Sequence, residues 1–143
     1  MVKLGLLIVL FPMLSLGMDR MSALSMLETG NNDKMVGRAG EISRYQILKT
    51  EWKSITSSTH YQDFTLAREV TLKLLDQRVE KFTRVYHRGP SDFEFYVLWN
   101  APAQVLQGRI SRIVAGRATR FANLCSWKNG SVAALEKVSR PGA

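Results

Sequence analysis

A carboxylate, two side-chain amides and a glycine stand in an ordered series in the first third of the chain. They are Glu28, Asn32, Gly40 and Gln46. Glu28 directly follows two apolar residues, and a carboxyl group in an apolar, partly dry setting keeps its proton to a higher pH than an exposed one. Such a group can deliver a proton to a poor leaving group, which is general acid chemistry. The ordinary alternative for Glu28 is an exposed carboxylate at the end of a helix.

Helices are the elements that must position these residues. The sequence predicts helices over residues 20–28, 50–56, 63–86, 91–101 and 111–124, and in 20–28 and 63–86 the apolar residues recur at intervals of three or four. Asp63 opens the longest of them. Ser91 and Glu94, three positions apart, form a capping-box pattern at the start of the next.

The helix that begins at Ser91 is apolar on nearly every face, so we expect it to be central and buried, with Pro102 interrupting it. Residues 36–48 carry two glycines and a partly alternating stretch. They predict a loop followed by a short extended segment or one helical turn. The expected fold is therefore mainly α, a helical bundle around a central buried helix with a small irregular or β segment.

The N-terminal 17 residues, MVKLGLLIVLFPMLSLG, have the order of a secretory signal: a lysine, an apolar run and then small residues. The alternatives are a buried N-terminal helix, or a true start further along at Met18 or Met21. We expect a signal peptide over residues 1–17, one domain over 18–125 and a flexible tail over 126–143. No stable membrane span is expected once the signal is removed.

The composition excludes several kinds of site. A single cysteine, Cys125, rules out an internal disulfide framework and a cysteine-rich zinc site. His60 and His87 lie far apart in the chain, so no metal cluster and no cofactor are expected. The net charge of +8 suits nucleic acid or an anionic envelope polymer as a partner. Export favours the polymer, and the basic residues lack interleaved stacking aromatics, so nucleic acid is not expected.

At the ordered series and a later motif, the chain resembles the lysozyme-like superfamily, specifically the branch of soluble lytic transglycosylases and goose-type lysozymes. That family has a catalytic Glu followed by Ser, Asn at +4, Gly at +12, Gly-Leu-Met-Gln ending at +18, and a later Tyr-Asn-Ala-Gly on a helix. Here residues 28–47 read ETGNNDKMVGRAGEISRYQI and residues 99–102 read WNAP. Thr29, Ser43-Arg44-Tyr45, Trp99 and Pro102 depart from the family pattern.

The resemblance implies an exported enzyme, secreted or periplasmic, that cleaves the β-1,4 bond between N-acetylmuramic acid and N-acetylglucosamine in peptidoglycan. Glu28 would be the general acid and then the base. In the transglycosylase route this one Glu suffices and an anhydro-sugar forms. In the hydrolytic route a second carboxylate activates water from about 6.5–9.5 Å away. Glu41 is the candidate, and its alternative is a solvated loop charge or an ion-pair partner of Arg38 or Arg44.

The resemblance also implies contacts with glycan strands. The candidate substrate-binding residues are Ser43, Tyr45, Gln46, Tyr96, Trp99 and Asn100. The amide of Gln46 suits an acetamido group, whereas its alternative is a loop brace. Because Trp99 lies in an apolar helix, packing in the core is favoured for it over stacking on a sugar ring. Tyr96 either hydrogen-bonds Glu28 or fills the core, and Asn100 would brace the Glu28 loop.

Two other classes of function remain open at this stage. The departures from the family motifs suit a protein of the same fold that binds glycan without cutting it. The basic charge suits a helical protein that binds nucleic acid or an anionic membrane. A monomer is expected in each case.

Overall fold

The computed structural model describes residues 17–126. In this range six α-helices follow one another: α1 (Arg20–Thr29), α2 (Lys49–Ile55), α3 (Phe64–Tyr86), α4 (Asp92–Asn100), α5 (Pro102–Leu106) and α6 (Arg112–Ser126). Within the same residues the only extended pairing is an isolated antiparallel bridge between Ile42 and Ile47. The predicted mainly α class is therefore confirmed, whereas the finer lysozyme-like arrangement stays a prediction.

Helix α4 forms the buried centre of the bundle, as its apolar sequence predicted. Residues 95–99 are all buried, and α4 packs against α3, α5 and α6. Phe121 of α6 stacks on Phe95 with ring centroids 5.8 Å apart and contacts Tyr96 at 5.5 Å. Helix α1 packs against α6 as well, which brings the C-terminal end of α1 close to the middle of α4.

Polar side chains mark where the helices begin. The carboxylates of Asp19 and Asp63 accept hydrogen bonds from backbone amides in the first turns of α1 and α3. Ser91 and Glu94 form the predicted capping box at the start of α4. These contacts satisfy amide groups that have no partner inside their own helix.

Pro102 separates α4 from a short further helix. The sequence predicted the interruption but not α5, which begins at the proline itself. Proline is well suited to the first position of a helix, because the amide hydrogen that it lacks would have no partner there. The chain therefore turns after Asn100 and immediately resumes as a helix.

The segment that joins α1 to α2 is irregular, as predicted, and contains a tight hairpin. Ile42 and Ile47 exchange both backbone hydrogen bonds at 2.8 Å, and four residues close the turn between them. Both isoleucines are buried. They fix the hairpin to the core, so the residues around it have a defined position.

Two predictions concern parts of the chain that lie largely outside the described residues. The signal segment 1–17 falls there except for Gly17, and the tail 126–143 falls there except for Ser126. Within residues 17–126, no helix combines the length and the apolar character that crossing a membrane requires.

The packing of α6 on α4 yields a stability prediction. Phe121→Ala should lower the free energy of unfolding by about 3–5 kcal/mol, because the ring is fully buried against two aromatic side chains. The measurement is urea denaturation followed by circular dichroism. Ile113→Ala is the control on the same helix, since Ile113 is 79% exposed, and it should change stability by about 0.5 kcal/mol or less. Equal losses in the two variants would contradict the packing described.

Candidate active site

The candidate site is an open cleft of about 580 Å³ between the α1–α2 segment and the C-terminal half of α4. Helices α2, α3, α5 and α6 each contribute side chains to its walls. Its lining residues are Glu28, Met35, Val36, Gly37, Arg38, Glu41, Gln46, Leu48, Glu51, Arg78, Trp99, Asn100, Pro102 and Arg117. The structure thus brings together Glu28, Glu41, Gln46, Trp99 and Asn100 from the residues that the sequence singled out.

Glu28 is a buried carboxylate whose edge reaches the cleft. Its side chain is only 6% exposed. Oε1 accepts a 2.7 Å hydrogen bond from the Tyr96 hydroxyl, and Oε2 pairs with Nη2 of Arg117 at 3.2 Å. Burial raises the pKa of Glu28 above its ordinary value of 4.5, even though the bonds from Tyr96 and Arg117 both act to lower it. The simple alternative of an exposed helix-end carboxylate is therefore wrong.

The end of α1 is anchored to the hairpin beside it. Gly30 ends the helix with φ 63°, in the left-handed region that favours glycine. The hydroxyl of Thr29 donates to the carbonyl of Arg44 at 3.0 Å and accepts from the amide of Asn32 at 3.1 Å. Arg44 in turn makes two hydrogen bonds to Asp33, at 2.6 and 2.7 Å. These contacts fix the position of Glu28 relative to the hairpin.

Gln46 is held in one orientation by its own loop. Its Nε2 donates to the carbonyls of Ser43 at 3.2 Å and Met35 at 3.4 Å. Its backbone has φ 54°, a strained value for a residue with a side chain. Because both amide hydrogens are engaged, Oε1 is the atom left to accept a hydrogen bond from a ligand.

Glu41 lines the cleft together with Gln46 and has no cationic partner among residues 17–126. Its Oε2 accepts a hydrogen bond from the amide of Ala39 at 2.9 Å. Arg44 is bonded to Asp33 instead, and no ion pair joins Glu41 to Arg38 within the described residues. The alternative that Glu41 is an ion-pair partner of either arginine is therefore wrong.

Gly37 lets Glu41 and Gln46 come together. A methyl group at Gly37 would collide with Oε2 of Glu41 and Oε1 of Gln46. These two acceptor oxygens therefore lie side by side against a glycine that leaves them room. A donor group or a water molecule between them could give a hydrogen to each.

Several predicted substrate contacts are instead supports beneath the cleft. Ser43 and Tyr45 are each 2% exposed and do not line the cleft, in contrast to the substrate contact that the sequence suggested. The Ser43 hydroxyl accepts from the amide of Tyr45, and the Tyr45 carbonyl accepts from Nε1 of Trp99 at 3.2 Å. Their side chains point inward because the hairpin is anchored to the core on both sides. Tyr96 is fully buried, and it both fills the core and bonds Glu28.

In the WNAP motif of residues 99–102, Trp99 lies mainly in the core and Asn100 lies on the cleft wall. Trp99 is 7% exposed, so it is mainly a core residue with an edge at the cleft, as its position in an apolar helix suggested. Asn100 is exposed on the cleft wall, and its side chain makes no hydrogen bond within residues 17–126. It does not brace the Glu28 loop, contrary to expectation, because α4 ends there and Asn100 faces open space.

The sequence gave no indication that three charged residues, Glu51, Arg78 and Arg117, line the cleft. Arg117 pairs with Glu28 across 89 positions of sequence. Arg78 forms an ion pair with Glu51 and donates to the carbonyl of Trp99 at 2.7 Å, so it caps the C-terminal end of α4. The predicted helices contained all three residues, but no local pattern marks contacts made between distant helices.

No group of three or more metal-ligating side chains occurs in the described part of the chain. Comparisons with protein-family models, with curated proteins and with solved structures give no match for this chain. The site must therefore be interpreted from its own geometry.

The raised pKa of Glu28 predicts how Glu28→Gln changes the dependence of stability on pH. As pH rises through 4.5 the unfolded chain ionises at this position before the folded protein does, so Glu28 lowers stability above that range and not below it. The stability of Glu28→Gln relative to wild type should therefore rise as pH increases above about 4.5 and level off once the folded protein has also ionised at this position.

Urea denaturation at a series of pH values measures this difference. Glu69→Gln, at an exposed position on α3, is the matched substitution against which the trend is compared. The free energy of unfolding of Glu28→Gln could instead follow that of wild type at every pH, or fall relative to wild type as pH rises. Either result would contradict the burial of an ionisable group at this position.

Proposed function

We propose that this protein is a peptidoglycan-cleaving glycosidase of the lysozyme-like kind, with Glu28 as general acid and then base. The bond cleaved would be the β-1,4 link between N-acetylmuramic acid and N-acetylglucosamine. The observation that carries this proposal is a carboxyl group only 6% exposed at the wall of an open cleft, and this burial raises the pKa of Glu28. A leaving sugar oxygen needs a proton donor of this kind near neutral pH.

The character of the cleft supports a carbohydrate substrate. Sugar rings have polar edges and apolar faces. The cleft offers acceptors on Glu41 and Gln46, the free amide of Asn100, and exposed apolar surface on Met35 and Leu48. Nε2 of Gln46 is engaged by its own loop, so Oε1 would be the atom that accepts a hydrogen bond from an acetamido N–H group.

Two routes could complete the reaction after proton transfer from Glu28. In one, the acetamido oxygen of the substrate assists departure, and the C6 hydroxyl of the muramic residue then attacks to give an anhydro-sugar. In the other, Glu41 activates a water molecule from across the cleft. The position of Glu41 in the cleft wall, without a cationic partner in residues 17–126, is compatible with the second route.

The charge and the N-terminal sequence fit a wall substrate. The net charge of +8, or +7 without the signal segment and its Lys3, attracts an anionic polymer, and this attraction weakens as salt increases. The secretory character of residues 1–17 would place the enzyme outside the cell membrane, secreted or in the periplasm.

One observation favours a second candidate, a glycan-binding protein of the same shape that does not cut. Arg117 stabilises the ionised form of Glu28, which is the form that cannot donate a proton. Binding of glycan with no released sugar products would support this candidate.

The direct test is the activity of Glu28→Gln on purified peptidoglycan. Glutamine keeps the size of the side chain but cannot donate the proton, so clearing should be abolished, a loss of at least about 100-fold. Thermal melting should show a folded protein. Glu69→Gln is the matched control and should clear at the wild-type rate, whereas wild-type clearing by Glu28→Gln would refute the role of Glu28.

Mass spectrometry of the soluble products separates the two routes. An anhydro-product, lighter by one water than the reducing sugar, would indicate intramolecular attack, and Glu41→Gln should then keep most of its activity. A reducing sugar would indicate hydrolysis, and Glu41→Gln should then lose about 100-fold or more.

A further inference from the structure

Arg117 is the charged side chain that forms an ion pair with the proposed acid within the described residues. It lies on α6, and its side chain is 32% exposed at the cleft wall. Its Nη2 lies 3.2 Å from Oε2 of Glu28, and its guanidinium group lies 5.8 Å from the centre of the Tyr96 ring. Arg117 therefore contacts both the carboxylate and the aromatic ring whose hydroxyl binds that carboxylate.

The two contacts fix both oxygens of Glu28. Oε1 accepts a hydrogen bond from a hydroxyl group that is fully buried, and Oε2 pairs with a partly exposed cation that lines the cleft. A carboxyl group held at both oxygens cannot rotate without breaking a bond. Oε2, whose partner Arg117 lines the cleft, is therefore the oxygen that the geometry assigns to a ligand in the cleft.

We propose that Arg117 is a positioning residue, which orients Glu28 Oε2 toward the substrate and, by its charge, limits the pH range in which Glu28 holds its proton. The inference rests on the proposed function, because an orientation toward substrate has meaning only if Glu28 acts on one. Arg117 need not touch the reacting atoms, since it acts through Glu28.

Other titratable and charged groups also lie near Glu28. Tyr96 of α4 and Glu41 of the α1–α2 segment also affect the carboxylate, and the cleft further carries Arg38, Glu51 and Arg78. Tyr96 donates without carrying charge, and Glu41 favours the protonated form of Glu28. Arg78 is engaged with Glu51. Within residues 17–126, Arg117 is therefore the cation in direct contact with Glu28.

The expected effects of Arg117→Gln follow from losing that cation. The proton of Glu28 becomes harder to remove, so the upper limb of the pH–rate profile should move upward by about one pH unit. The orientation of the carboxyl group also becomes less fixed, so kcat should fall by about 10–100-fold while KM changes little. Arg117→Lys keeps the charge, so its upper limb should return toward that of wild type.

Arg112→Gln is the matched control, because it removes the same charge from an exposed position on the same helix. It should leave both the pH limb and kcat as in wild type. A merely structural role for Arg117 would lower activity and stability together without moving the pH limb, and that result would overturn the proposal.

A titration separates this inference from the proposed function. The ¹³C resonance of the Glu28 carboxyl group, assigned by its absence in Glu28→Gln, is followed against pH in wild type, Arg117→Gln and Arg112→Gln without any substrate. A higher midpoint in Arg117→Gln alone supports the electrostatic control of Glu28, and an unchanged midpoint overturns it. If the midpoint moves but wild type releases no glycan product, the proposed function fails while control of Glu28 by Arg117 stands.

Discussion

The whole site depends on the partial burial of one carboxyl group. Burial removes Glu28 from water and disfavours its charged form, whereas Tyr96 and Arg117 supply contacts that favour the charged form. Burial prevails, so the pKa of Glu28 lies above its ordinary value. Both partners contribute to the orientation of the group, because each binds a different oxygen.

The fold produces this balance by bringing three distant segments to one point. Glu28 comes from the end of α1, Tyr96 from the middle of α4 and Arg117 from α6. The stacked rings of Phe95 and Phe121 hold α4 against α6, so Tyr96 and Arg117 have a fixed separation. The bond from Thr29 to the hairpin holds the end of α1 in place. The cleft is therefore a consequence of helix packing, and the catalytic hypothesis depends on that packing.

The sequence was sufficient for five of the six helices in residues 17–126, all but α5, and for part of the site. Apolar periodicity located α1 and α3, an apolar stretch with the Ser91–Glu94 capping box located α4, and the segments 50–56 and 111–124 were predicted as helices, because signals of this kind are local. The resemblance placed Glu28, Gln46 and Asn100 in one site, and they share one cleft. Local patterns do not determine where side chains point in an irregular turn. Ser43 and Tyr45 were therefore expected to contact the substrate, whereas both are buried in the core. Arg117, the partner of Glu28 on α6, was not predicted for a related reason. A contact between residues 89 positions apart produces no periodic pattern in the sequence.

The most direct measurement of the central claim is the crystal structure of Glu28→Gln bound to a tetrasaccharide of alternating N-acetylglucosamine and N-acetylmuramic acid. The account predicts a glycosidic oxygen within about 3 Å of the side chain at position 28, on the side of the atom that replaces Oε2. It also predicts an acetamido N–H group donating to Oε1 of Gln46. A saccharide bound elsewhere on the surface, or one whose glycosidic oxygens all lie beyond hydrogen-bond reach of position 28, would contradict the account.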